Sequence, residues 1–274
     1  VLHFNFLLTP LDEVPAWGED QPRLSWFGLT DGWFWITVGD QELFRYTQAS
    51  NEYWRTQYPA SRPAKLPYEY YMVARYWEDL LEILPAILDP LPEDLAVIAA
   101  DAEGWQRWQD KAQAWQKENE DEDAWDTYNT ALRWWGARTW AAIHLAYPPD
   151  FWLWRVGDFI HLRWDNRDIT VDGIPVWETE QGEFMVPVTD FLTAIHSFHD
   201  RLLSAMQERV QAIMQSWSRP EVQINIPHLQ KEQQDRSTWL ENALTPLRRE
   251  RSQDYSWGEV REAIATISAK IGPP

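Results

Sequence analysis

The stretch Phe151-Trp152-Leu153-Trp154-Arg155-Val156-Gly157-Asp158-Phe159-Ile160-His161-Leu162-Arg163-Trp164 decides the fold class. Aromatic and β-branched residues flank a Gly-Asp pair suited to a tight turn, so the segment reads as an antiparallel hairpin. Pro148-Pro149 isolates it from what precedes. Downstream, Ile169-Thr170-Val171, an Asp172-Gly173 turn and Ile174 to Trp177 predict a second hairpin, and Phe184 to Val188 a further strand. From Thr189 the pattern changes. Phe191, Ile195, Phe198, Leu202, Met206, Val210 and Ile213 recur every three or four residues, which predicts an amphipathic helix ending near Arg219-Pro220. Strands grouped before helices, without βαβ alternation, point to an α+β architecture.

β signals also open the chain. Phe4 and Phe6 alternate with His3 and Asn5, and Leu24 to Phe27, Gly32 to Val38 and Glu42 to Tyr46 read as an extended meander turning at Gly39-Asp40. Trp33-Phe34-Trp35 through Gly39-Asp40 to Arg45-Tyr46 echoes Trp152-Leu153-Trp154 through Gly157-Asp158 to Arg163-Trp164. A duplicated hairpin would put both copies in one sheet; shared turn chemistry is the competing explanation.

Between the two β regions the period is helical. Residues 47–66 read as loop, Pro67 suits a helix first turn, and Val73, Trp77, Leu80, Leu81 and Leu84 share a face until Pro85 ends or kinks it. A second helix is predicted from Pro92. Trp105, Trp108, Ala112 and Trp115 form one stripe; beyond an acidic run, Trp125, Tyr128, Leu132, Trp135 and Ile143 form another, predicting an antiparallel pair packed through core tryptophans. C-terminally, Val222 to Ile226 alternates as a strand, a helix follows from Pro227 to about Arg251, and Ser256 with Glu259 is a capping box opening a last helix. The prediction is one α+β domain over 1–274: N-terminal strands (1–66), helices (67–147), central β-hairpins (151–188) and C-terminal helices (189–271).

Composition bounds the function. Zero cysteines excludes disulfides, thiolate metal sites and a cysteine nucleophile, and no apolar run reaches the roughly 20 residues of a membrane span. A cytoplasmic location is expected. The net charge of −19, concentrated in the first two thirds, repels nucleic-acid phosphates and favours a cationic partner. Twenty tryptophans supply bulky core or recognition surface.

Catalytic templates fail: the chain has no glycine-rich phosphate loop, nucleophile elbow or H-E-x-x-H motif. His196 and His199 have a metal-sharing spacing, yet at about 100° per residue His199 flanks the apolar stripe and His196 leans toward solvent. Asp165-Asn166-Arg167-Asp168 with Asp172 superficially resembles an oxygen-ligand cation loop, but turn chemistry explains it. No cofactor or metal is expected. The candidate partner-binding residues are Glu118, Glu120, Asp121, Glu122 and Asp123 of the acidic run, and Asp165, Asp168, Glu178, Glu180 and Glu183 of the second β region. Trp33 and Trp152 are the aromatic anchors among strand tryptophans that include Trp26, Trp35 and Trp154.

Three blocks carry a resemblance: Leu24-Ser25-Trp26-Phe27-Gly28-Leu29-Thr30-Asp31-Gly32-Trp33-Phe34-Trp35, Arg163-Trp164-Asp165-Asn166-Arg167-Asp168 continuing through Gly173 to Trp177, and Ser197-Phe198-His199-Asp200-Arg201. Together they resemble a bacterial domain-of-unknown-function family over nearly the whole chain. The resemblance implies a cytoplasmic bacterial protein and no particular chemistry. From the residues themselves, the leading expectation is a non-enzymatic acidic protein of the immunity or antitoxin type that occludes the active site of a basic toxin. The alternatives are a hydrolase acting on carbohydrate or another neutral substrate in a Trp-lined groove, and a DNA mimic.

Overall fold

The computed structural model describes residues 1–57, 66–119, 121–245 and 255–274, and the architecture is α+β. In chain order come β1 (Leu2–Leu8), β2 (Arg23–Leu24), β3 (Asp31–Val38), β4 (Gln41–Leu43), α1 (Gln48–Gln57), β5 (Glu69–Met72), α2 (Val73–Leu88), α3 (Glu93–Ala100), α4 (Ala102–Glu118) and α5 (Glu122–Gly136). Then follow β6 (Phe151–Val156), β7 (Phe159–Asp165), β8 (Thr170–Val171), β9 (Ile174–Pro175), β10 (Gln181–Pro187), α6 (Val188–Gln215), β11 (Gln223–Ile224), α7 (Ile226–Arg236), α8 (Trp239–Leu244) and α9 (Trp257–Ile271).

Strand β3 organises the first sheet. β1 pairs with it along one edge, from Leu2 opposite Val38 to Leu8 opposite Gly32, while β4 and β5 share the other edge. Gly32 is required by this pairing. A Cβ there would lie 2.4 Å from the Leu7 carbonyl oxygen and 2.8 Å from Leu8 Cα, backbone atoms that no rotamer change can move. Gly32→Ala is therefore expected to cost about 1–3 kcal/mol in a urea unfolding measurement; a change within about 0.5 kcal/mol would contradict so close an approach of the two strands.

The second sheet runs β10-β7-β6, all antiparallel. Period-two alternation gives each face its own core. Phe151, Leu153, Ile160 and Leu162 enter a large core shared with the first sheet, α2 and α6, where Phe34 stacks on Tyr76 at 4.3 Å and meets Trp140 and Phe198. Trp154, with Trp152 and Val156 packed alongside, belongs to a second core of Trp105, Trp108, Trp134 and Trp135, completed by Val260, Ile264 and Ile267 of α9.

Several expectations are corrected. Residues 48–57 form α1, nucleated by Thr47, whose Oγ1 accepts from the Ser50 N–H at 3.0 Å; the low apolar content hid it. Pro67 opens no helix: Glu69–Met72 is strand β5 and α2 begins at Val73, continuing past Pro85 to Leu88. The helix expected from Pro92 breaks at Asp101, whose carboxylate caps α4 by accepting from Gly104 N–H at 2.9 Å. The helix expected from Pro227 breaks between Arg236 and Trp239, and its final residues lie outside the described ones. The two echoing hairpins sit in different sheets; what they share is a left-handed turn glycine, with φ of 63° at Gly39 and 56° at Gly157.

Candidate functional site

A cleft of about 560 Å³ opens between the N-terminal half of α4 and the face of the second sheet that carries Trp152. Strand register builds one wall. Trp152 lies opposite Arg163, and Arg163 opposite Glu183, so three strands place an indole, a guanidinium and a carboxylate in one row on one face. Glu103, Gln106 and Arg107 of α4 form the other wall, with Trp105 and Trp135 at its base.

Arg163 holds the walls together. It is buried, donates from Nη1 to the Ala99 carbonyl at 2.7 Å and from Nη2 to the Ala100 carbonyl at 3.2 Å, and reaches Glu183 at 3.0 Å. It thus satisfies the last carbonyls of α3, just before Asp101 caps α4. Its guanidinium carbon lies 5.0 Å from the centre of the Trp154 ring, close enough for a cation–π contact. Burial alone would raise the Glu183 carboxyl. The hydrogen bonds and charges of His161 and Arg163 outweigh it and hold that group below its ordinary range. Asp165 is likewise lowered, first by its hydrogen bonds from Arg167 at 2.8 and 2.5 Å. Both carboxylates are therefore ionised at neutral pH.

Gly182 shapes the cleft from β10. A Cβ at this position would lie 2.2 Å from Trp164 Cζ2, so the indole packs across the bare backbone of the neighbouring strand. Gly182→Ala is expected to displace the Trp164 ring and to cost about 1–3 kcal/mol. Near-ultraviolet circular dichroism together with urea unfolding tests both parts, and an unchanged spectrum at unchanged stability would contradict this packing.

The cleft brings together four expected residues, Trp152, Asp165, Asp168 and Glu183. A separate patch gathers Glu118, Asp121, Glu122 and Asp123, all exposed, at the α4–α5 turn, where the Asp121 carboxylate caps α5 by accepting from Ala124 N–H at 2.7 Å. Glu120 lies outside the described residues. Twelve residues of helix separate this turn from Gln106, about 18 Å at 1.5 Å per residue. Glu178 and Glu180 are exposed on the connection between β9 and β10 and line neither feature.

Trp33 is a correction. It is only 2% exposed, its ring packed 5.0 Å from Tyr70, so it offers a partner no surface. Trp26 and Trp154 are also buried, and Trp35 stacks on Tyr68.

The second helical stripe is corrected too. Trp125 is 52% exposed and Ile143 85% exposed. The inward face of α5 carries Ala124, Ala131, Trp134 and Trp135, with Tyr128 partly buried. Counting the alanines as apolar gives the spacing 124, 128, 131, 135 and leaves Trp125 about 100° off that line. This is the signal that could have found it.

His199 is buried, its ring 5.6 Å from Trp77, while His196 is exposed. Asn166 braces the 165–168 loop by donating to the Thr179 carbonyl at 2.9 Å and accepting from Asp150 N–H at 3.1 Å, which is turn chemistry. No group of three or more His, Asp or Glu capable of holding a metal occurs among the described residues.

Outside the cleft, Asp79 on α2 faces His144, with 3.5 Å between carboxylate oxygen and Nδ1. Burial pushes Asp79 up to about 6 and His144 down to about 4. A raised carboxyl favours the fold below its unfolded value near 4, and that contribution is lost as pH rises through about 6. The lowered imidazole has the opposite sign: its contribution is complete above about 6.5 and lost as pH falls toward about 4. Asp79→Asn is therefore expected to raise stability relative to the parent at about pH 8 and not at about pH 4, and to steepen the loss between pH 6.5 and 4. Thermal melts across that range test it, and parallel profiles for parent and variant would refute it.

A model of a family of unknown function, DUF5984, matches residues 3–263. The chain belongs to this family. No curated protein and no solved structure matches it. Membership in DUF5984 agrees with the resemblance carried by the Leu24–Trp35, Arg163–Trp177 and Ser197–Arg201 blocks, and in this chain an ion-paired tryptophan cleft and an acidic turn lie at opposite ends of α4. No helix among the described residues is long and apolar enough to cross a membrane.

Proposed function

We propose that this DUF5984 protein is a non-enzymatic acidic binding protein of the immunity or antitoxin type, acting in the cytoplasm, which neutralises a basic toxin or effector by covering its active site. The observation that carries the reading is Trp125, 52% exposed on the face of α5 shared with Asp121 and Glu122 four and three residues before it, next to a turn that also carries the exposed Glu118 and Asp123. Those four carboxylates have no ion pair among the described residues. An exposed indole beside acids combines the two ingredients of a docking point for a cationic protein: the carboxylates steer encounter, and the desolvated ring slows departure. The net charge of −19 extends the steering field.

The cleft weighs against a hydrolase. A glycosidase needs one carboxyl that keeps its proton, whereas Asp165 is held ionised by Arg167 and Glu183 by His161 together with Arg163. The arginines interleaved there weigh against a DNA mimic. The product of the gene immediately upstream is the partner to test. In stopped-flow binding its association rate is expected to fall as salt rises, and Trp125→Ala to speed dissociation about 10-fold or more. Salt-insensitive association, or a Trp125→Ala complex indistinguishable from the parent, would overturn the proposal.

A further inference from the structure

We infer that the cleft between α4 and the second sheet is a binding site for a neutral polyhydroxylated ligand, an oligosaccharide, which it holds without cleaving. This site is distinct from the acidic turn and does not depend on the reading of that turn.

Charge balance comes first. Within a molecule of net charge −19, the cleft sets four carboxylates against three guanidiniums, and three of the four are paired: Asp165 with Arg167, Glu183 with Arg163, and Glu103 with Arg107. Apart from the exposed Asp168, a free cation or anion entering here meets groups already neutralised by their neighbours, so the cleft has little preference for either. Each pair still offers unused lone pairs and N–H groups in fixed directions. Gln109 and Gln181 add amides that both donate and accept. An array in which donors and acceptors alternate suits hydroxyl groups, which also do both.

The wall supplies the second element. Trp152 is half-buried and stacked on Trp135, with ring centres 5.9 Å apart at 25°, which fixes it as a flat apolar platform of the kind on which the C–H face of a sugar ring packs. A volume of about 560 Å³ lies within the roughly 300–1,000 Å³ of small-molecule sites. Retention without cleavage is expected because Asp165 and Glu183 are ion-paired and have no proton to give the glycosidic oxygen, while the other two carboxylates, Glu103 and Asp168, are exposed to solvent and not desolvated as a general acid is.

The test uses the whole chain with maltotriose, cellotriose and the N-acetylglucosamine trimer, followed by saturation-transfer NMR and calorimetry. At least one trisaccharide is expected to bind below about 10 mM. Trp152→Ala and Gln181→Ala should each weaken it about 10-fold or more, Trp125→Ala should leave it unchanged, and the sugar should be recovered intact. Gln181 is exposed, so its replacement keeps the test valid even if Trp152→Ala disturbs packing. Absence of binding for all three sugars, binding unaltered in Gln181→Ala, or the appearance of new reducing ends would each overturn the inference.

Discussion

Replacing Arg138 by alanine is expected to remove about 3–5 kcal/mol of unfolding free energy. The side chain is completely buried. Its guanidinium donates to the Trp134 carbonyl at 2.8 Å, the Tyr255 hydroxyl at 2.9 Å and the Asp89 carbonyl at 3.2 Å, lies 3.5 Å from an Asp89 carboxylate oxygen, and packs 5.3 Å from the Trp257 ring. One planar cation thus ties the end of α5, the end of α2 and the entry to α9. Truncation leaves buried acceptors without donors and opens a cavity beside Trp257, two penalties that add. Lysine cannot substitute, because a single ammonium cannot reach acceptors spread around a planar fork. Urea unfolding followed by tryptophan fluorescence measures the loss, and a cost below about 1 kcal/mol would show that this hub is dispensable.

Arg236→Ala is expected to cost a similar amount, about 3–5 kcal/mol, for a different reason. Here the cation is stacked between two indoles, 4.3 Å from the centre of Trp26 and 4.5 Å from that of Trp239. It also bonds the Glu78 carboxylate and lies 3.6 Å from Glu232. Removing it leaves Glu78 and Glu232 with only their longer contacts, to Arg75 and to His228, each at 3.6 Å. The origin of the cost can be separated from simple loss of volume: in Arg236→Met combined with Glu78→Gln and Glu232→Gln, no unpaired charge remains, and at least half the loss should be recovered. A triple variant no more stable than Arg236→Ala would assign the cost to packing instead.

Neither arginine stands out in the sequence, and the reason is physical. A buried cation is defined by partners far along the chain: Arg138 meets Tyr255, and Arg236 meets Glu78 and Trp26. Local periodicity registers only the apolar stripe beside which each one sits. The same limit governs the site. The hairpin at Gly157-Asp158 and the helix from Thr189 are legible because period two and period 3.6 are properties of neighbouring residues. The cleft is legible only as a set of types, Trp152 with Asp165, Asp168 and Glu183. Its wall from α4 depends on the break at Asp101, where a capping carboxylate and a glycine interrupt what otherwise reads as one helix. Trp125 and Trp33 depart from expectation in opposite directions. For Trp125, the stripe follows the large rings and passes over the alanines. Trp33 faces Tyr70 of β5, a strand masked by a proline that suits a helix start.

The three-stranded sheet is a party wall, with tenants on both sides. Sliding β6 by one residue against β7 would evict Phe151 and Leu153 from the large core and send Trp152 and Trp154 into it, so a single deletion near Gly157 scrambles two interiors at once. Both interiors therefore depend on one strand alignment, the one set at the Gly157-Asp158 turn.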